Sequence, residues 1–239
     1  MQHIVTQRVI CGLTIPDGIS LTIDDFTFLP DFEGEHQARH IKTIVEANTK
    51  EEATAKTGKL FSDFLAELTL IDNSKYILGN DMSVTLIGVN EPTTQTRSIT
   101  ASAFIVQDGM RIKTTYEATV KGKHIRKSPL RLYRDAINTD GLFEKYRTFY
   151  RVLESYGGTT AISSWIRKQL GKPEMKKNKN GQPITIYTWI RIKLSHSKSQ
   201  KGDLEPFLIS NPAHVAIVNR YLPEIQRLAR TIIKERERV

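Results

Sequence analysis

Apolar residues in the first 120 positions recur mostly at every second residue, and further along the chain at every third or fourth. In the first part, His3–Ile15 and Ile19–Leu29 are β-rich runs separated by Pro16-Asp17-Gly18, a turn signal, and predict a hairpin. The run His40–Ala47 alternates Ile41, Thr43 and Val45 against Lys42, Ile44 and Glu46, as a strand buried on one face does. Thr49 stands three residues before Glu52 in capping-box spacing, and Leu60, Phe64, Leu68 and Ile71, widened by Phe61 and Leu65, predict one amphipathic helix. Met82–Val89, Arg97–Val106 and Met110–Val120 read as three further strands, with Asp108-Gly109 as the hairpin turn between the last two. The expectation is an α+β domain, a mostly antiparallel sheet crossed by one helix.

The period changes to 3.6 near Lys121–Pro129, which divides the chain into residues 1–122 and 123–239. Ser128 and Pro129 suit an N-cap and first helical residue, and Asp140 suits the cap of a second helix ending at Gly157-Gly158. That helix carries Leu142, Tyr146, Phe149 and Leu153 on one face. TTAISSWIRKQL forms a third helix, and KPEMKKNKNGQP reads as a basic loop. Ile186, Trp189, Ile190 and Leu194 give a fourth helix an apolar face, and a last helical segment starts near Asn211-Pro212, with Pro223 as a kink or a second start. The second domain is therefore expected to be an all-α bundle of four or five helices.

Charge sharpens this division. Residues 1–120 carry 10 Lys and Arg against 16 Asp and Glu, net −6, whereas residues 121–239 carry 25 against 10, net +15. An acidic module joined to a strongly basic one points either to a polyanionic partner for the second or to no more than a solvated basic surface, and leaves the first a sensing or scaffold role, with a protein partner of its own. No apolar run approaches a membrane span, the N-terminus lacks the pattern of a secretory signal, and the single Cys11 suits a reducing compartment, so the cytoplasm is the expected location. His36 and His40, beside Glu33 and Glu35, have the spacing of a metal pair but no Cys partners and no clear helix, and read as loop histidines. No metal, cofactor or glycine-rich phosphate loop is expected.

The candidate chemistry lies in YTWIRIKLSHSKSQK, where Arg191 precedes His196 by five residues late in the basic helical half. Residues 123–239 resemble the HEPN (higher eukaryotes and prokaryotes nucleotide-binding) superfamily, whose bundles carry an Arg-x4-6-His motif late in the fold. The chain departs from that pattern at Ile192, where active members commonly carry a polar residue, and at Lys198, where some toxin members carry Tyr. The resemblance implies a C2 dimer that brings two motifs into one composite site and cleaves RNA without a metal. His196 would transfer protons, and Arg191 would hold the scissile phosphate. Five helical residues rotate by about 140° beyond a full turn and rise about 7.5 Å, so the pair needs a helix end or a second chain to meet. Lys193, Ser195 and Lys198 are candidate substrate contacts, Glu154 a candidate orienting carboxylate, and Tyr146 and Tyr150 packing residues.

The expected function is a HEPN-type endoribonuclease of a defence or toxin system, its first domain sensing, restraining or targeting it. The alternative is a non-catalytic RNA-binding and dimerisation protein with a degenerate bundle, which Ile192 favours. A bundle that binds a nucleotide or an acidic protein ranks third, because the sequence has no phosphate loop to support it.

Overall fold

A computed structural model of the chain describes residues 1–87, 106–178, 180–195 and 206–239. They form two compact units, Met1–His124 and Ile125–Val239, and the architecture is α+β.

The first unit comprises β1 (Gln2–Ile10), β2 (Leu21–Ile23), β3 (Phe26–Leu29), β4 (His40–Glu46), α1 (Lys50–Asp72), β5 (Ile77–Leu86) and α2 (Gly109–Thr119). The strands make one antiparallel sheet in the order β2-β3-β4-β1-β5. Period-2 alternation sends Val5, Val9, Phe28, Ile41 and Val45 to one face, where α1 covers them with Phe61, Phe64, Leu65 and Leu68. Phe26 stacks on Phe64 with centroids 4.0 Å apart, and the Tyr116 ring meets Phe64 edge-on at 5.5 Å. Cys11 is fully buried beneath this packing, which pushes its thiol up to about 12 and leaves it no role as a nucleophile.

Several expectations change here. The hairpin forms between β2 and β3 around Asp24-Asp25, with Asp24 at φ 53°, while β1 pairs with β4 and β5 instead. The long run Ile19–Leu29 therefore folds on itself, and Pro16-Asp17-Gly18 only turns the chain towards it. β5 begins five residues before the expected start at Met82. In α1 the core stripe is Ala53, Thr57, Phe61, Phe64 and Leu68, while Leu60 is 44% exposed. Met110–Val120 lies in and beside a helix rather than a strand, so the described residues of the unit hold two helices. Asp108 caps α2 by accepting from the N–H groups of Met110 and Arg111, and Ile112, Tyr116 and Val120 then fall one turn apart on the buried side. Tyr116 donates to Glu67 at 3.1 Å and ties α2 to α1. Most of the expected strand Arg97–Val106 lies outside the described residues.

The capping box is present. Thr49 accepts from the Glu52 N–H at 3.1 Å, while the Glu52 carboxylate accepts from the Asn48 N–H at 2.9 Å and pairs with Lys56. Thr49→Ala should cost about 1 kcal/mol in urea unfolding. Lys56, then the Asn48 N–H, hold the Glu52 carboxyl below the usual carboxylate range. Its contribution is therefore complete above the unfolded-state pKa and is lost as pH falls through the lower folded value. Glu52→Gln should accordingly matter at neutral pH and cease to matter well below about pH 4.

The second unit comprises α3 (Lys127–Asn138), α4 (Leu142–Glu154), α5 (Thr159–Leu170), β6 (Met175–Lys177), β7 (Pro183–Thr185), α6 (Ile186–Ser195) and α7 (Pro212–Glu237). Helix α4 is the centre, in contact with α3, α5, α6 and α7. Tyr146, Phe149, Tyr150, Val152 and Leu153 on it are fully buried against Leu130 and Tyr133 of α3 and Ile225, Leu228 and Ile232 of α7. The expected basic loop contains a small hairpin, β6 paired with β7, so the bundle is not purely helical. Neither proposed cap holds: Arg126 and Gly141 occupy the N-cap positions of α3 and α4, without side-chain hydrogen bonds. Asn211 does cap α7, which runs unbroken through Pro223.

Candidate functional site

Four hydroxyl groups fix α6 against α4. Thr185 caps α6 by accepting from the Thr188 N–H, and its hydroxyl lies 3.0 Å from that of Thr188. The Tyr150 hydroxyl meets Thr188 Oγ1 at 2.8 Å, and the Tyr146 hydroxyl donates to the Tyr187 carbonyl at 3.2 Å. Burial, opposed in part by the bond to Thr188, pushes Tyr150 up to about 12, so both tyrosines are neutral anchors. They pack as expected and also set the position of α6.

On α4, Glu144, Arg147, Arg151 and Glu154 follow one another at three, four and three residues, which places them along one helix face. With Arg191 and Ser195 of α6 they line a cleft of about 360 Å³. Arg191 Nη2 lies 3.0 and 3.3 Å from the two Glu154 carboxylate oxygens, an ion pair between the helices. The two side chains are 33% and 21% exposed, enough water contact for the charges and enough burial to restrict the guanidinium. Arg147 pairs with Glu144 and donates from Nη1 to the Leu194 carbonyl at 3.4 Å, near the negative end of the α6 dipole. Three guanidinium groups face two carboxylates, so the lining keeps one net positive charge, a setting that favours a phosphodiester.

Of the residues singled out by sequence, Arg191, Ser195 and Glu154 meet in this cleft. Lys193 lies elsewhere, with Nζ 5.2 Å from the Trp189 ring centroid and 6.0 Å from that of Phe207. The predicted inward face of α6 is partly corrected. Ile186, Tyr187, Thr188 and Ile190 are buried, while Trp189 and Leu194 are only half-buried. The helix is described as far as Ser195, and His196 and Lys198 lie outside the described residues. His36 and His40 make separate contacts, with the Ile15 carbonyl at 2.9 Å and Asp31 at 2.7 Å. Arg147 and Arg151 were legible only as helix charge, although the 3-4-3 spacing of EKYRTFYRVLE already placed them beside Glu154 on one face.

Residues 129–234 match the model of a family described as methylamine utilization protein MauJ. No curated protein and no solved structure matches the chain significantly. The MauJ-like segment begins at Pro129 in α3 and ends at Lys234 in α7, so it takes in all of α4 and α6 and the whole cleft. No helix among the described residues is long and apolar enough to cross a membrane.

Proposed function

We propose that the chain is a metal-independent endoribonuclease of HEPN type, acting as a homodimer whose two Arg191-His196 motifs form one composite site. The observation that carries this reading is the Arg191–Glu154 pair in a cleft that also holds Arg147 and Arg151. A guanidinium restrained by a carboxylate presents its planar fork in a fixed direction, as stabilisation of a charged phosphoryl transition state requires. In the proposed reaction His196 takes the proton of a ribose 2′-hydroxyl or protonates the leaving 5′-oxygen. Arg191 binds the phosphoryl oxygens, Arg147 and Arg151 bind neighbouring phosphates, and Ser195 donates a hydrogen bond. Lys198 remains a candidate backbone contact, and Lys193 a more distant one. The biological setting is a toxin or antiviral defence system in the cytoplasm, with a protein partner on the first unit.

Glu154 is a positioning residue here. Glu154→Gln removes the charge that holds Arg191 and should lower kcat by about tenfold to a hundredfold with little change in KM, since a loosened transition-state group costs turnover first.

The reading is tested by incubating the full chain with a labelled single-stranded RNA in EDTA. Cleavage is the expected result. Binding that weakens steeply with salt and leaves the RNA intact would overturn it in favour of a non-catalytic RNA-binding bundle, the role Ile192 suits.

A further inference from the structure

A second pocket, of about 300 Å³, lies between α5, the β6–β7 hairpin and α6. It uses a different face of α6 from the Arg191 cleft, since Thr188 and Ile192 line it while Arg191 and Ser195 line the other. One wall is a stripe along α5: Thr159, Thr160, Ser163, Ser164 and Arg167.

Three features of that wall belong together. Helix α5 opens on Gly158 at φ −65° and ψ 165°, and glycine brings no side chain to bond the N–H groups of the first turn. The positive end of the helix dipole is thus uncapped where Thr159 and Thr160 line the pocket. Ser163, one turn further on, is 8% exposed, and its hydroxyl has no hydrogen-bond partner among the described residues. The buried helical hydroxyls of Thr57 and Thr69, by contrast, bond the carbonyl four residues back. An orphaned buried hydroxyl is costly, and this one lines a pocket that a guanidinium also lines. Arg167 is fixed there by donating to the Pro183 carbonyl at 3.0 Å. Among the described residues no carboxylate lines the pocket, and Pro183, Ile184 and Ile192 give its other side an apolar surface.

We infer that this pocket binds a small phosphate monoester, with the phosphate on the first turn of α5, the Ser163 hydroxyl donating to it and Arg167 closing over it. Hydroxyl donors, helix N–H groups and one guanidinium without an opposing acid match a dianionic phosphate, and the apolar side accepts the organic part. The site supplies from a helix terminus the phosphate cradle that the sequence lacks as a glycine-rich loop. It stands independently of the ribonuclease reading.

The test is an amide-resolved NMR titration of the full chain with inorganic phosphate, AMP and adenosine. Phosphate and AMP should shift the amides of Thr159–Ser164, and adenosine should not. Gly158→Asp is the informative variant, because a Cβ at Gly158 meets nothing within 4 Å and the new carboxylate caps the helix while repelling phosphate. It should keep or raise Tm and weaken AMP binding by at least about tenfold, the loss expected when a charge-assisted contact is opposed. Arg167→Gln should weaken AMP binding in the same direction, and Arg191→Ala should leave it unchanged. Absence of shifts in these amides up to about 10 mM phosphate or AMP would overturn the site, since affinity below that range has no binding role. Equal shifts with adenosine, undiminished binding in Gly158→Asp, or loss of AMP binding in Arg191→Ala would overturn it as well.

Discussion

Arg191→Ala should lower the initial rate of RNA cleavage by at least about a thousandfold, and His196→Ala by as much, because a charge-stabilising donor and a proton-transfer group each supply a comparable share of such a reaction. The double variant should be little worse than either single one, since groups acting on one transition state are not additive. Arg191→Lys should fail almost as completely: an ammonium keeps the charge but loses the planar fork that reaches Glu154 and a phosphate together. Rates are measured on a short fluorescent RNA in EDTA, with the Tm of each variant as the control for folding. Arg191 is one-third exposed, so alanine leaves no cavity in the core. Cleavage surviving His196→Ala would remove the mechanism.

Gly109→Ala should destabilise the first unit by more than about 3 kcal/mol in urea unfolding, the range of a steric insertion that the backbone cannot absorb. A Cβ at Gly109 would fall on the Thr14 carbonyl oxygen and within 2.6 Å of a Leu21 methyl carbon, where α2 starts against the chain leading to β2. The Gly109 N–H also donates to the Thr14 hydroxyl at 3.2 Å, so the close approach is bonded as well as packed. Gly58 in the middle of α1 gives the contrast. Nothing lies within 4 Å of a Cβ there, and Gly58→Ala should stabilise by about 0.5 to 1 kcal/mol through helix propensity. Opposite signs at two helical glycines distinguish a required close contact from a tolerated residue.

The same Asp108-Gly109 pair explains why the sequence pattern in part of the first unit points to a strand where the chain forms a helix. Asp-Gly is a strong hairpin signal between alternating runs, but the Asp oxygen also makes an N-cap, and Gly also permits close backbone approach. The β-branched residues of MRIKTTYEATV favoured the strand; the burial of Ile112 and Tyr116 against α1 and β2 decided for the helix, as tertiary packing overrides propensity. The Thr49–Glu52 cap and the 3.6-residue periods of α4 and α5 were legible because they depend on neighbours in sequence. The partners of β1 were not, since pairing with β4 and β5 is set across 32 to 83 residues of chain. At the candidate site, the sequence itself marks Arg191, Ser195 and Glu154. The Arg147 and Arg151 side chains became part of it only when the hydroxyls of Tyr150, Thr185 and Thr188 placed α6 along the charged face of α4.

The most direct measurement is of the termini left on RNA by the wild-type chain in EDTA, read by mass spectrometry beside His196→Ala. Attack by the 2′-hydroxyl leaves a 2′,3′-cyclic phosphate and a 5′-hydroxyl, and both should appear with the wild type and vanish with the variant. Intact RNA, or 5′-phosphate products that persist in His196→Ala, would contradict a composite Arg191-His196 ribonuclease site.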